Sequence, residues 1–323
     1  MLAFLSRALV VAAVAALLCC AGARAQEYPL RPVRVIIPLA AGGGGDVFTR
    51  ALADELQKML GQPVVVENRP GGTLNIGTRV CAEAPPDGYT LCVLSSEPVV
   101  YNQFLFRTLP FDPEKDLEPI ALLFFNTLAL VANSALQVAT IPELIALAKA
   151  KPGTLSYGTF SFPASAFMEK LKREAGIDIV RVPFRGGGEV VTALLAGSTP
   201  IAVLALSNMV AQLEAGRIRG LAVIAQARSP LFPQVPTLLE VRGESVRATW
   251  FGLFAPAGMP RGIRARLAAA VTRIIEEPGF RRRMFLERAV EPGGATLEEF
   301  AQFIAEERKI AERLVRDIGV KPD

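Results

Sequence analysis

The segment VRVIIPLAAGGGGDVFTRALADELQKMLG, Val33 to Gly61, sets four consecutive glycines between a β-branched run and a stretch with helical spacing. VRVIIP reads as a strand bounded by proline, and Phe48, Leu52, Leu56, Met59 and Leu60 recur on one helical face. Asp46 sits where an N-cap belongs, Gly61 lies just past the helix end, and Pro63 blocks continuation. A strand passing through a glycine turn into a helix is the unit of an α/β sheet. Glycine there either lets a ligand approach the main chain or simply makes the turn.

The unit recurs. PVVVEN is a strand, NIGTRVCAEA a short helix stopped by Pro85 and Pro86, and YTLCVLS a strand running into Ser95 and Ser96. Beyond the loop around TLPFDPEKDLEPI a second set begins with TLALVAN, the helix TIPELIALAKAKPG and the strand TLSYGT. A polar loop and a helix from about Ala164 to Ala175 follow, then IDIVRVPF, the turn RGGGE, the helix VVTALLAG, and the apolar runs IAVLAL and RGLAVIA. The tail is helical. Strands alternating with helices predict two α/β lobes with parallel sheets covered on both faces.

The first residues read as an export leader. Arg7 is the single charge before an uncharged run from Ala8 to Ala23, and Ala23 to Ala25 form a small-x-small cleavage site, so residues 1–25 are expected to be removed before Gln26. Leucine and cysteine precede Cys19 and Cys20, a poor context for lipid attachment, and no later segment has the length of a membrane span. The remaining 298 residues suffice for two cored domains. Losing Arg7 and Arg24 lowers the net charge from +4 to +2, which is no nucleic-acid footprint, and FRRRM at Phe280 to Met284 reads as a solvated helix face.

The chain contains no histidine. That removes the commonest general base, the Ser-His-Asp arrangement and every histidine-ligated metal site. Of four cysteines only Cys81 and Cys92 survive cleavage, too few for a cysteine-only zinc site. One lies in a predicted helix and the other in a predicted strand, and their spacing does not decide whether they pair. We therefore expect no catalytic residue, no metal and no cofactor. A hydrolase built on Ser95 or Ser96 would lack both an activating histidine and a Ser-x-x-Lys motif.

Four loops at strand C-termini remain as candidates for ligand binding, because ligands of open α/β sheets bind at those edges. Gly42, Gly43 and Gly44 lie at a helix N-terminus, where unpaired N–H groups stabilise an anion, with Asp46 behind them. GGGGD lacks the Lys and Ser/Thr of a phosphate loop. In FRGGGE, Arg185 can clamp a carboxylate and Gly186 begins the same strand-loop-helix arrangement. Thr159, Ser161 and Ser165 offer hydroxyls near a helix start, as Ser95 and Ser96 do after TLCVL. Each also has a structural reading as turn or cap.

Taken in order, YPLRPVRVIIPLAAGGGGDVFTRALADEL, GQPVVVENRPGGTLNIGT, APPDGYTLCV, LPFDPEKDLEPI, ELIALAKAKPGTLSYGT, VPFRGGGEVVTALLAG, RSPLFPQVPTLLEV and FGLFAPAGMP resemble the successive signatures of Bug-type solute receptors of tripartite tricarboxylate transporters. The resemblance spans Tyr28 to Val320. It implies a two-lobed type II periplasmic binding protein fold, with lobe 1 at residues 26–126 plus 246–323 and lobe 2 at residues 127–245. It also implies a periplasmic monomer that captures a small carboxylate between the lobes and delivers it to a membrane permease. A sensor component signalling to a membrane kinase is the alternative with the same fold.

Several residues depart from the family pattern. Phe184 and Arg185 stand for its tyrosine and lysine, the loop at Gly72 to Leu74 loses glycine, Ser165 replaces a usual histidine, and Pro200 and Leu204 replace two frequent aspartates. These departures imply a cleft more apolar and less acidic than is typical.

Overall fold

The computed structural model describes residues 28–243, 248–294, 297–320 and 322. The expected leader, residues 1–25, lies outside them.

The first part of the chain runs β1 (Val33–Ile37), α1 (Gly44–Leu60), β2 (Val64–Asn68), α2 (Asn75–Ala82), β3 (Thr90–Ser95), a π-helical turn (Glu97–Tyr101), α3 (Asn102–Leu105) and β4 (Leu117–Asn126). Then come β5 (Leu128–Asn133), α4 (Ile141–Ala150), β6 (Leu155–Thr159), α5 (Phe162–Ala175), β7 (Ile179–Pro183), α6 (Gly187–Ala196), β8 (Ile201–Ala205), α7 (Val210–Glu214), β9 (Ile218–Ile224) and α8 (Leu238–Arg242). The chain closes with β10 (Thr249–Pro256), α9 (Arg261–Glu276), α10 (Pro278–Met284), β11 (Val290–Pro292) and α11 (Leu297–Ile318).

The strands form two sheets, one per lobe: β11-β4-β10-β3-β1-β2 and β7-β6-β8-β5-β9. Both are mixed, which corrects the all-parallel expectation. β1 runs parallel to β2 and β3, but β10 is antiparallel to β3 and β4, and β5 is antiparallel to β8 and β9. The reason is topological. The chain leaves the first sheet along β4, with Thr127 alone separating it from β5, and returns along β10 in the opposite sense. The second crossing lies between Arg242 and Thr249, and the expected boundary at 245/246 falls outside the described residues.

Each sheet is buried on both faces, so its strands read as continuous apolar runs. Along β3, Leu91 and Val93 face one core while Cys92 and Leu94 face another, and β8 divides Ile201 and Val203 from Ala202 and Leu204 in the same way. Helix α1 buries Phe48, Leu52, Leu56 and Leu60, each such side chain contributing about 1.5–3 kcal/mol. Met59, expected on that face, is exposed. In the core under α11, the Trp250 indole donates to Glu307 Oε2 at 3.2 Å. Cys81 and Cys92 form a disulfide that ties α2 to β3, with Cα atoms 6.1 Å apart.

Candidate functional site

The C-terminal ends of β1, β3, β6, β7 and β8 all lead into loops that meet between the lobes. The four candidate loops meet there in two pairs.

The first pair sets glycine against glycine. A Cβ on Gly43 would sit 3.4 Å from the Gly187 nitrogen, and one on Gly186 would sit 3.3 Å from the Ala40 Cβ. The Gly44 N–H donates across the cleft to Asn208 Oδ1 at 2.8 Å. Asn208 ends the turn after β8 and had no signal in the sequence.

Asp46 is not the N-cap. Helix α1 begins at Gly44 with Gly43 as its cap, one turn earlier than expected, and Asp46 lies in the first turn. There its carboxylate accepts from the Gly42 N–H at 3.0 Å, Arg50 Nε at 3.1 Å and Asn68 Nδ2 at 2.9 Å. Burial pushes this carboxyl up, but the bonds from Arg50, Gly42 and Asn68 outweigh it and hold it below the usual carboxylate range. Asp46 thus fixes the glycine loop from behind.

The second pair joins Ser95 and Ser96 to the loop before α5. Ser161 is the N-cap of α5, yet its side chain makes no capping bond and instead lies 3.4 Å from the Thr249 hydroxyl of the opposite lobe. Thr159 Oγ1 accepts the Ser161 N–H at 3.2 Å and the Ser165 hydroxyl donates to the Ser161 carbonyl at 3.1 Å, so those two hydroxyls shape the loop locally. Phe162, the first residue of α5, packs its ring 5.4 Å from that of Tyr101 in lobe 1.

Between Ser96 and Tyr101 lies a residue the sequence reading missed. Glu97 is only 1% exposed, and the hydroxyls of Ser95, Ser96 and, from lobe 2, Ser161 surround its carboxyl. None of them completes a hydrogen bond of good geometry to it: both Glu97 oxygens and the Ser95 and Ser96 hydroxyls are unpartnered among the described residues. Burial pushes the Glu97 carboxyl up, against the smaller lowering by these hydroxyls and by its own backbone N–H. The interface therefore contains a buried acid that the sequence reading did not place there.

Nearby, Thr73 and Leu74 both have positive φ, 51° and 71°. Such a conformation is unusual for a β-branched residue and persists only where surroundings hold it. Here the Asn102 amide donates to the Thr73 carbonyl at 2.9 Å and to Asn75 Oδ1 at 2.7 Å. The loop so held lines a cavity of about 340 Å³ that continues over Thr159, Phe160, Arg181 and Arg185. Arg185 is exposed at its rim, and its guanidinium has no ion pair among the described residues. Among the described residues no cluster of acidic or cysteine side chains could hold a metal, and no helix is long and apolar enough to cross a membrane.

Residues 48–320 match the model of the tripartite tricarboxylate transporter family receptor. The chain belongs to this receptor family. The receptor is 34% identical to protein BugT of Bordetella pertussis over 304 residues, covering 92% of each chain. Among solved structures, it resembles an R. palustris protein with adipate at TM-score 0.86 and 29% identity, covering 92% of this chain and 100% of that one. MatC from Rhodopseudomonas palustris with bound malate aligns at TM-score 0.82 and 30% identity, over 89% of the receptor and 100% of MatC. The family is one of transporter receptors.

Proposed function

We propose that this receptor captures a small carboxylate in the periplasm, as a monomer, and delivers it to the membrane permease of a tripartite tricarboxylate-type transporter. The observation that carries the reading is the convergence of the four polar strand-end loops on one inter-lobe cleft, in a fold shared with proteins that hold adipate and malate. The Gly43 N–H can meet a ligand carboxylate entering the open cleft, Gly42 and Gly44 shape the loop around it, and the Gly44 N–H bond to Asn208 forms again as the lobes close over the ligand. Arg185 and Gly186 approach from lobe 2, and Ser95, Ser96 and Ser161 line the floor, while Thr159, Ser165 and Asp46 hold the loops. Closure is a hinge movement of lobe 1, residues 26–126 plus 246–323, against lobe 2, residues 127–245. Cleavage before Gln26 produces the mature chain, and the Cys81–Cys92 disulfide suits an oxidising compartment.

Mass spectrometry of molecules released from the purified protein, followed by calorimetry with a panel of small mono-, di- and tricarboxylates including adipate and malate, tests the proposal. A retained carboxylate, or saturable binding of a panel member, is expected. No binding by any panel member, together with a retained molecule that lacks a carboxylate, overturns it.

A further inference from the structure

Glu97 has the marks of a group that a ligand completes. It opens the π-helical turn after β3, at the edge where the strand ends converge, and π-turns occur disproportionately at functional sites. Among the described residues, five side-chain atoms are buried and unpartnered within eight positions: Ser95 Oγ, Ser96 Oγ, both Glu97 oxygens and Asn102 Oδ1. Leaving one such atom unpaired costs about 1–3 kcal/mol, so five in one cluster mark a place where a bound molecule would supply missing bonds. The cluster lies at the lobe interface, because Ser161 of the opposite lobe reaches the same carboxyl.

The chemistry of that molecule follows from the surroundings. Among the described residues the Glu97 oxygens have no cationic partner, and their polar neighbours are hydroxyls and the residue's own backbone N–H. A carboxyl removed from water without a counter-charge is favoured in its neutral form, which presents one O–H donor and one carbonyl acceptor. We propose that Glu97 contacts the ligand directly as an uncharged acid, donating its O–H to a ligand oxygen, and that this inner subsite selects a carboxylate with an oxygen-bearing inner end over one carrying an amine. Ser95 and Ser96 flank the same ligand group. This assignment rests on the carboxylate reading above.

Two measurements test it. The first compares parent, Glu97→Gln and Glu97→Ala by calorimetry against adipate and malate and against their amine-bearing counterparts, 6-aminohexanoate and aspartate. Gln supplies a neutral donor and acceptor in the same place, so it should bind the better dicarboxylate within about threefold of parent, whereas Ala should bind it at least about tenfold more weakly. The amine-bearing probes should bind the parent at least about tenfold more weakly than the dicarboxylates. If Gln is as weak as Ala and the amines are preferred, Glu97 is an ionised partner for ammonium and the proposal fails. If Ala binds like the parent, Glu97 only packs the turn and the proposal also fails. Failure of the parent to bind any of the four, or any other small carboxylate, removes the carboxylate reading itself and this assignment with it. The second measurement needs no ligand: the infrared band of a protonated carboxyl should be present in the parent at neutral pH and absent from Glu97→Gln, and its absence from the parent would overturn the uncharged acid.

Discussion

The Gly44 backbone N–H and the Asn208 side-chain oxygen, 2.8 Å apart, belong to opposite lobes and are joined by a hydrogen bond. The contact requires close approach. A Cβ on Gly44 would stand 2.6 Å from the Ser207 hydroxyl, and one on Gly187 would stand 2.2 Å from Asn208 Oδ1. Loss of the acceptor in Asn208→Ala removes a bond of about 0.5–1.5 kcal/mol from the closed form, a loss of roughly two- to twelvefold in affinity. Gly187→Ala should act more strongly, by displacing Asn208 while leaving circular dichroism unchanged. Small-angle scattering of the ligand-saturated protein should give a larger radius of gyration for both variants than for the parent, and identical curves would show that this contact does not hold the lobes together.

Arg185 gives a second expectation. Its exposed guanidinium stands at the rim of the 340 Å³ cavity beside Arg181. A charge-assisted hydrogen bond contributes on the order of 1.5–3 kcal/mol, so Arg185→Ala should weaken ligand binding by roughly ten- to a hundredfold. Calorimetry with the retained ligand measures this, and unchanged affinity would remove Arg185 from the site.

Stability should depend on pH through Glu97. Its folded pKa is raised by burial above the unfolded value of about 4.3, so between the two the folded protein holds one more proton than the unfolded chain. Stability therefore falls as pH rises through that window, and Glu97→Gln abolishes this slope. The melting temperature of the variant minus that of the parent should be smallest near pH 4 and grow towards pH 8. A difference that stays constant across this range would mean that Glu97 titrates normally.

The disulfide closes a loop of 11 residues, and constraining the unfolded chain over that length is worth about 3 kcal/mol. Both sulfurs are fully buried, so alanine fits the apolar surroundings better than serine. Urea unfolding of the double variant Cys81→Ala/Cys92→Ala should show a loss of about this size, with reduced parent protein behaving alike. Two free thiols in protein isolated from its own compartment would contradict the bond.

The sequence made one kind of information legible and concealed another. The strand-loop-helix units from Val33 to Gly61 and from Ile179 to Ala196 were readable because periodicity and punctuation are local. β4 and β10 were not, because Pro119 and the acidic run before it imitate a loop, and TWFGLFAP is apolar without alternation. Asp46 was placed one turn off, because glycine itself caps α1. Glu97 left no trace: an acid before proline reads as solvent-facing, and only the arrival of Ser161 from the other lobe reveals its burial. The same holds for Asn208, whose partner is 164 residues away.

The position of β10 sets an order on folding. It lies between β3 and β4, yet it is made after all of β5 to β9. Emerging from a ribosome or an export channel, the chain can complete the five-stranded sheet while the six-stranded one still has a gap at its centre, with β3 and β4 unable to pair. The six-stranded sheet thus cannot lock into its final form until residues near Thr249 are available, so the lobe that the chain begins is the one it finishes last.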